Sequence, residues 1–526
     1  MRRRVAAGLV VGVVVGVVAA LGFTTVHTAS AREDRPEVVR VEGGELRGVL
    51  AGAVREFSGI PYAAAPVGAL RWRPPKSAPS WSGLRDATRP GAKCPQSDSF
   101  AASRVPTSED CLYLNLTTPR RSGTDRAVLV WIHGGSFTVG DGDYYRARRL
   151  TSAGNLVVVT INYRLGALGF LAHPALGHDG GLGNFGLLDQ QEALRWVREN
   201  IAAFGGDPHR VTIAGESAGA MSVCDHLASP ASAGLFRAAI EESGPCQGQA
   251  PQSDAEQASI RWAAQRGCPD RPGVADCLRA LPGARTSPAP TYPPKAASFA
   301  GPVYGNAVLP TAPVDAAARG AVARVPVLIG SNHDEGALLV GSLTTGTAGR
   351  ILGPDAETTT VGQLLLTDAL ARRLPPVYGL GAAASSAVTA PITDSVIACP
   401  TQRMQRALSW RAPVYAYVFN DRRAPQLPRA GSAIPVGAAH AFELPYLFDI
   451  DGATDRLDAA QRRLSDQMIN YWAQFVNTGN VDVDNQPAWP RYSEGARVLS
   501  LAPDKTRLID NFSADHHCAV YDHLPR

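Results

Sequence analysis

The stretch Gly215-Glu216-Ser217-Ala218-Gly219 sets a serine between two glycines, directly after the apolar run Val211-Thr212-Ile213-Ala214 and ahead of a helix-like segment over 218–227. A strand that turns through Gly-x-Ser-x-Gly into a helix is a nucleophile elbow, and it holds the serine hydroxyl out at the carboxyl edge of a sheet. Small residues on either side of the serine let strand and helix pack closely around the turn. The five letters alone are weak evidence; the strand before and the helix after set this reading above a plain structural turn. A serine hydroxyl attacks a carbonyl at neutral pH only if an imidazole accepts its proton. The oxyanion that then develops needs N–H donors. Val130-Trp131-Ile132-His133-Gly134-Gly135-Ser136-Phe137 supplies a strand ending in a Gly-rich turn, where the backbone N–H groups of Gly135, Ser136 and Ala218 can converge. A phosphate-binding loop is the competing reading, but neither Gly-Lys-Ser/Thr nor Gly-x-Gly-x-x-Gly follows.

The chain has 11 histidines. Behind an elbow of this kind the order along the chain is nucleophile, acid, base, which leaves His333, His440, His516, His517 and His523. His440 stands out because it follows a glycine-bounded loop at 431–437. It also opens Ala441-Phe442-Glu443-Leu444-Pro445-Tyr446-Leu447-Phe448, where a loop after the strand over 414–419 would return to the sheet's carboxyl edge. His333 lies within the loop that offers the acid, and the others sit among polar terminal residues. The acid orients the imidazole and stabilises its cation. Ser331-Asn332-His333-Asp334-Glu335-Gly336, after the apolar run Val327-Leu328-Ile329, offers two adjacent carboxylates. Composition does not choose between Asp334 and Glu335, and the competing reading is that both cap a helix start.

These groups need a sheet to position them. Apolar runs at 112–116, 127–132, 156–161, 211–214 and 325–329 alternate with helical patterns, and nearly continuous apolar strands imply a sheet covered on both faces. Leu187, Leu194, Val197 and Ile201 recur at helical spacing, with Gln190, Glu192, Arg195 and Glu199 on other faces, before Gly205-Gly206-Asp207-Pro208. That reads as a crossover helix between parallel strands. Pro-, Ala- and Gly-rich segments around 286–300 and 379–390 read as insertions within one domain. A strand at 414–419 and a long helix at 459–477 follow. The expected fold class is α/β, with a mostly parallel central sheet, helices on both faces and large insertions.

At 526 residues, 45% hydrophobic and 19% charged, the chain is neither a disordered tail nor a fibre. Residues 5–23 carry no charge, follow three arginines and lead to Ala29-Ser30-Ala31 ahead of a charged run. This is the layout of a secretory signal peptide over 1–31, leaving a single catalytic domain over 32–526 outside the cytoplasm. An uncleaved membrane anchor is the alternative, because 19 apolar residues approach the roughly 20 that cross a bilayer. No later stretch does so. Without Arg2, Arg3 and Arg4 the basic residues number 48 against 47 acidic ones, a balance that excludes nucleic acid as the main partner. Eight cysteines, an even number, fit an oxidising compartment. They allow about a hundred pairings. Cys94 and Cys111 flank one short loop, and Cys268 and Cys277 bracket another. There is no Cys-x-x-Cys pair, and His516-His517-Cys518 lacks a second ligand cluster, so no metal site is expected.

With nucleophile, acid, base and oxyanion loop in this order, the chain resembles the type-B carboxylesterase and cholinesterase family of α/β-hydrolases over nearly all of its mature length. Phe204-Gly205-Gly206-Asp207-Pro208 through Gly219 matches the family's serine signature, and Ser108-Glu109-Asp110-Cys111-Leu112-Tyr113-Leu114-Asn115 matches its second. Gly59-Ile60-Pro61-Tyr62-Ala63, Asn162-Tyr163-Arg164 and Gly183-Asn184-Phe185-Gly186-Leu187-Leu188-Asp189-Gln190 agree too.

The resemblance implies a serine carboxylesterase with no metal or organic cofactor, acting on small-molecule or lipid esters. In it Ser217 forms an acyl-enzyme, His440 is the base, and Glu335 rather than Asp334 is the acid. Gly135, Ser136 and Ala218 would bind the oxyanion. The resemblance also pairs Cys94 with Cys111, Cys268 with Cys277, and Cys399 with Cys518. Cys224 and Cys246 fall outside that pattern, and their bridging stays open. Ser136 stands where the family most often has a third glycine, which implies poorer accommodation of bulky acyl groups. The loop between Cys94 and Cys111 carries Phe100 and no Trp, which argues against a choline ester held by cation–π attraction. Lipase, carbamate, thioester or amide hydrolysis would use the same triad. Relatives lacking the nucleophile serve as binding modules, whereas here all three triad positions are filled.

Overall fold

The computed structural model describes residues 37–97, 103–121, 123–177, 181–286, 301–338, 389–427, 437–493, 495 and 497–522, which belong to one unit, Pro36–Arg526. The segment read as a signal peptide, Phe100, His523 and most of the insertions lie outside the described residues.

In chain order the strands are Val38–Val41 (β1), Gly44–Arg47 (β2), Val49–Ala51 (β3), Val54–Pro61 (β4), Leu84–Asp86 (β5), Tyr113–Pro119 (β6), Arg126–Ile132 (β7) and Val157–Ile161 (β8). They continue with Gly206–Glu216 (β9), Ala238–Glu242 (β10), Ala250–Pro251 (β11), Val303–Tyr304 (β12), Val327–Asn332 (β13), Val414–Phe419 (β14), Val498–Leu501 (β15) and Arg507–Ile509 (β16). Among the described residues the main sheet runs β16-β15-β14-β13-β10-β9-β7-β8-β6-β4-β3. From β8 through β15 every neighbouring pair is parallel, and the flanking pairs are antiparallel.

The parallel centre is built from strands buried along their whole length, as β7, β8 and β14 are. Alternation along β7 divides its side chains between two cores. Val128, Val130 and Ile132 pack in one, and Ala127, Leu129 and Trp131 in the other. The helix Ala218–Ala228 covers the first face with Met221, Val223 and Leu227. The helix Ala459–Thr478 covers the second with Leu464, Met468, Trp472 and Phe475, and starts at a capping box between Asp458 and Gln461. The helix Phe185–Asn200 carries the chain from β8 to β9, across β7. The spacing places Gln190 off this helix's apolar stripe. Gln190 is nonetheless buried, donating to Ser222 Oγ at 3.0 Å and meeting His226 Nε2 at 2.9 Å.

This reversal around β7 is the topological switch point of the sheet, where a crevice opens beyond the carboxyl ends of the strands. Ile132 at the end of β7 pairs in register with Gly215 near the end of β9. The glycine-rich loop and Ser217 therefore leave the sheet side by side. Disulfides join Cys94 to Cys111, Cys224 to Cys246, Cys268 to Cys277 and Cys399 to Cys518. Among the described residues no helix is long and apolar enough to cross a membrane.

Candidate active site

Ser217 links β9 to the helix Ala218–Ala228 with φ 57° and ψ −121°, a backbone conformation that side chains other than glycine seldom adopt. Its N–H donates to Glu242 O at 2.9 Å, fixing the turn to the end of β10. The flanking glycines are steric necessities. A Cβ on Gly219 would stand 2.0 Å from Ile132 O, and one on Gly215 would stand 2.5 Å from the Gly219 carbonyl carbon.

The glycine-rich loop lies against this elbow, since a Cβ on Gly134 would be 2.6 Å from Glu216 Oε2 and 3.1 Å from Ser217 Cβ. Gly135, Ser136 and Phe137 then take positive φ of 104°, 54° and 57°. The loop is locked from behind: Tyr163 Oη donates to His133 O at 2.8 Å, the His133 ring stacks on Tyr163 at 4.4 Å, and Phe137 packs on Phe170. His133 Nδ1 meets Gly134 O at 2.7 Å. Burial holds the His133 pKa at about 4, so the ring is neutral and Nδ1 carries the proton it donates. The N–H groups of Gly135 and Ser136 have no protein acceptor among the described residues. That of Ala218 heads its helix, where N–H groups have no intrahelical partner.

Of the two carboxylates after β13, Glu335 faces His440. Its Oε2 lies 2.6 Å from His440 Nδ1, and its Oε1 accepts the Asn332 N–H at 2.7 Å. Asp334 turns elsewhere, to His333 Nδ1 at 2.9 Å and the Ala438 N–H at 2.9 Å, and so braces the loop that carries His440. His440 Nε2 lies 3.1 Å from Glu216 Oε1, the carboxylate of the residue before Ser217. The imidazole is thus beside the elbow and bracketed by two carboxylates, and no hydrogen bond joins it to Ser217 Oγ in this arrangement. Burial alone would lower its pKa, but Glu216 and Glu335 outweigh burial and hold it up to about 10. Burial pushes Glu216 up to about 7.

Sequence reasoning missed the buried acids around this imidazole. Besides Glu216 they include Glu443, whose Oε2 accepts from Asn332 Nδ2; Glu242, whose Oε1 accepts from Trp472 Nε1 at 2.7 Å, acts on Glu216 rather than on the imidazole directly. Burial pushes Glu242 up to about 8 and Glu443 well above the usual carboxylate range. Glu216 sits at a free position of the elbow motif, and Glu443 three residues after His440. Neither spacing announces a contact. Of the other histidines weighed, His516 is not an exposed terminal residue: it is buried, with Nδ1 2.7 Å from Asp394 Oδ1. His517 Nδ1 lies 3.3 Å from Asp394 Oδ2.

A largely parallel sheet, a strand–serine–helix elbow at its carboxyl edge and a glycine-rich loop beside that elbow define an α/β-hydrolase. Within that class the chain belongs to the carboxylesterase family, whose model matches residues 35–521. It is 36% identical over 507 residues to the fumonisin B1 esterase of Sphingopyxis macrogoltabida, covering 91% of this chain and 89% of that protein. It is 35% identical over 503 residues to the para-nitrobenzyl esterase of Bacillus subtilis (strain 168), covering 90% and 96%. A solved structure of PNB esterase is similar with a TM-score of 0.79 at 30% identity, covering 93% of this chain and all of that one. The protein is a carboxylic ester hydrolase.

Proposed function

We propose that the protein is a secreted serine carboxylesterase in which Ser217 attacks the ester carbonyl and His440 takes its proton. His440 then returns that proton to the departing alcohol, and water hydrolyses the acyl-enzyme by the same route in reverse order of partners. Glu335 orients His440 and stabilises its cation. The N–H groups of Gly135, Ser136 and Ala218 bind the oxyanion. The observation that carries this reading is the positive-φ elbow at Ser217, packed against Gly134 and adjoining an imidazole whose Nδ1 is held 2.6 Å from Glu335. For His440 to accept the serine proton it must first give up its own, and the ion pair with Glu216 opposes that loss. The substrates proposed are small carboxylic esters with compact acyl groups. The two esterase relatives support the ester class, and the Cβ that Ser136 adds two residues after Gly134, the residue packed on Ser217, supports the size limit.

Replacing Ser217 by Ala is expected to lower kcat for a simple aryl ester by more than about 10⁴-fold. It should also abolish labelling by a fluorophosphonate, with the circular dichroism spectrum unchanged. Retained turnover would refute the assignment. Hydrolysis rates over acyl and alcohol groups of graded size define the substrate, and faster turnover of thioesters, carbamates or amides than of esters would overturn the proposed class. For secretion, cleavage after Ala31 and a single catalytic domain over 32–526 are proposed. The four disulfides support an oxidising compartment. A mature amino terminus that begins before residue 5 would instead make that segment an anchor.

A further inference from the structure

His516 raises a question that the ester site does not answer. Its side chain is 3% exposed, its Nδ1 is held by Asp394, and its Nε2 has no hydrogen-bond partner among the described residues. A buried polar atom without a partner calls for an explanation, and here it is the ring nitrogen opposite the one a carboxylate holds. His333 also has its Nδ1 held by a carboxylate, 2.9 Å from Asp334 Oδ1, but its Nε2 already has a partner, Asp515 Oδ2 at 3.1 Å. A carboxylate holding the far nitrogen of an imidazole is the arrangement that orients histidines toward a metal.

We infer that His333, Asp515 and His516 form a binding site for a zinc-class divalent cation. One ligand atom from each of the three lies within 4.8 Å of the other two. Zinc bonds of about 2.0–2.1 Å in tetrahedral geometry set ligand atoms about 3.3 Å apart. The contact between His333 and Asp515 is already that short, so the required movement is a contraction around His516. Two imidazoles and one carboxylate suit Zn²⁺ and leave a fourth position for water. An entry path exists, since the Asp515 side chain is 46% exposed. The ion would tie the C-terminal segment, already anchored by the disulfide from Cys518 to Cys399, to the loop after β13.

One group opposes the ion. Arg422 Nη2 lies 3.0 and 3.1 Å from the two ring nitrogens of His333. Its side chain is 61% exposed, so it can swing into solvent when the ion enters. This gives the test two directions. Untagged full-length protein freed of metal by a chelator is dialysed against Zn²⁺ and the bound metal measured by mass spectrometry, with Co²⁺ absorption reporting coordination. One equivalent is expected at micromolar free zinc. Loss of an orienting carboxylate costs about 10- to 100-fold in metal affinity, and Asp515→Asn, which removes a direct ligand at the surface, should cost at least as much. His333→Gln should match it, whereas Arg422→Gln should tighten binding several-fold. Substoichiometric zinc in the unmodified protein, an affinity unmoved by Asp515→Asn, or weaker binding in Arg422→Gln would each overturn the site. None of these outcomes depends on ester turnover.

Discussion

The ion pair between His440 and Glu216 makes the pH dependence of hydrolysis a direct probe of the site. At 3.1 Å and an effective dielectric constant of about 20, two unit charges attract by about 5 kcal/mol. Burial of both groups opposes this, and an opposite charge at such range shifts a pKa by about 1–3 units net, or about 1.4–4 kcal/mol. As the proposed base, His440 can take a proton only when unprotonated. With its pKa held up to about 10, kcat/KM should rise with pH and level off only near that value. Glu216, at about 7, is ionised above neutral pH, in the part of the range where the limb levels off, and exerts its full pull there. Glu216→Gln keeps the shape and the acceptor oxygen but removes the charge. The limb should therefore move down by about 1–3 units, leaving more neutral imidazole at pH 7.5. The measurement is kcat/KM for an aryl acetate from pH 6 to 10.5, corrected with the Ser217→Ala protein for spontaneous hydrolysis. A limb that stays in place or moves up would refute the claim that Glu216 governs the protonation of His440.

Other expectations follow from single contacts. Ser136→Gly removes a Cβ from a residue at φ 54°, so hydrolysis of branched-acyl esters relative to acetates should rise by about 10-fold, the scale of one or two methylenes in a tight pocket; an unchanged ratio would remove Ser136 from the acyl pocket. Non-reducing peptide mapping should recover Cys224 and Cys246 in one linked pair, and two free thiols would contradict the bridge. Because that bridge closes a 22-residue separation, its loss in a Cys224→Ser/Cys246→Ser protein should cost about 3 kcal/mol in chemical denaturation. Arg164 makes two bonds of 2.7 Å to Asp189 in full burial. Asp189→Asn should cost about 3–5 kcal/mol by leaving the guanidinium unpaired, while the pH limb set by His440 stays where it was.

The parts of the site that depend on backbone were legible in the sequence. The elbow needs glycines because Ile132 O and the Gly219 carbonyl leave no room for a Cβ, and steric demand of that kind shows as residue type at fixed spacing. Strand identities were legible for the same reason: β7 and β8 are buried on both faces and read as nearly continuous apolar runs. Boundaries were less so. The strand ending at Glu216 begins at Gly206, five residues before its apolar run, because pairing of Arg126 with Gly206 extends the ladder past the point where burial is continuous. The polar interior was not legible at all. Gln190 stands off the apolar stripe of its helix, and only the arrival of Ser222 and His226 from another helix makes its burial tolerable.

The same distinction explains why Glu216, Glu242 and Glu443 escaped notice while Glu335 and the imidazole did not. Glu216, Glu242, Glu335 and Glu443 come from four separate segments, at the ends of β9 and β10, after β13 and after β14. Each segment is placed by its strand, and the parallel register brings their ends to one edge of the sheet. Their mutual repulsion is contained because burial raises the proton affinity of Glu216, Glu242 and Glu443, so these acids need not all be charged together at neutral pH. A set of acids that share protons can hold a histidine cation at rest and also release it. Local sequence encodes where each chain segment turns, but the proton affinity of His440 is a property of how many charged neighbours the completed sheet delivers to one point. That is why the pH profile of Glu216→Gln tests the assembled site in a way that loss of Ser217 does not.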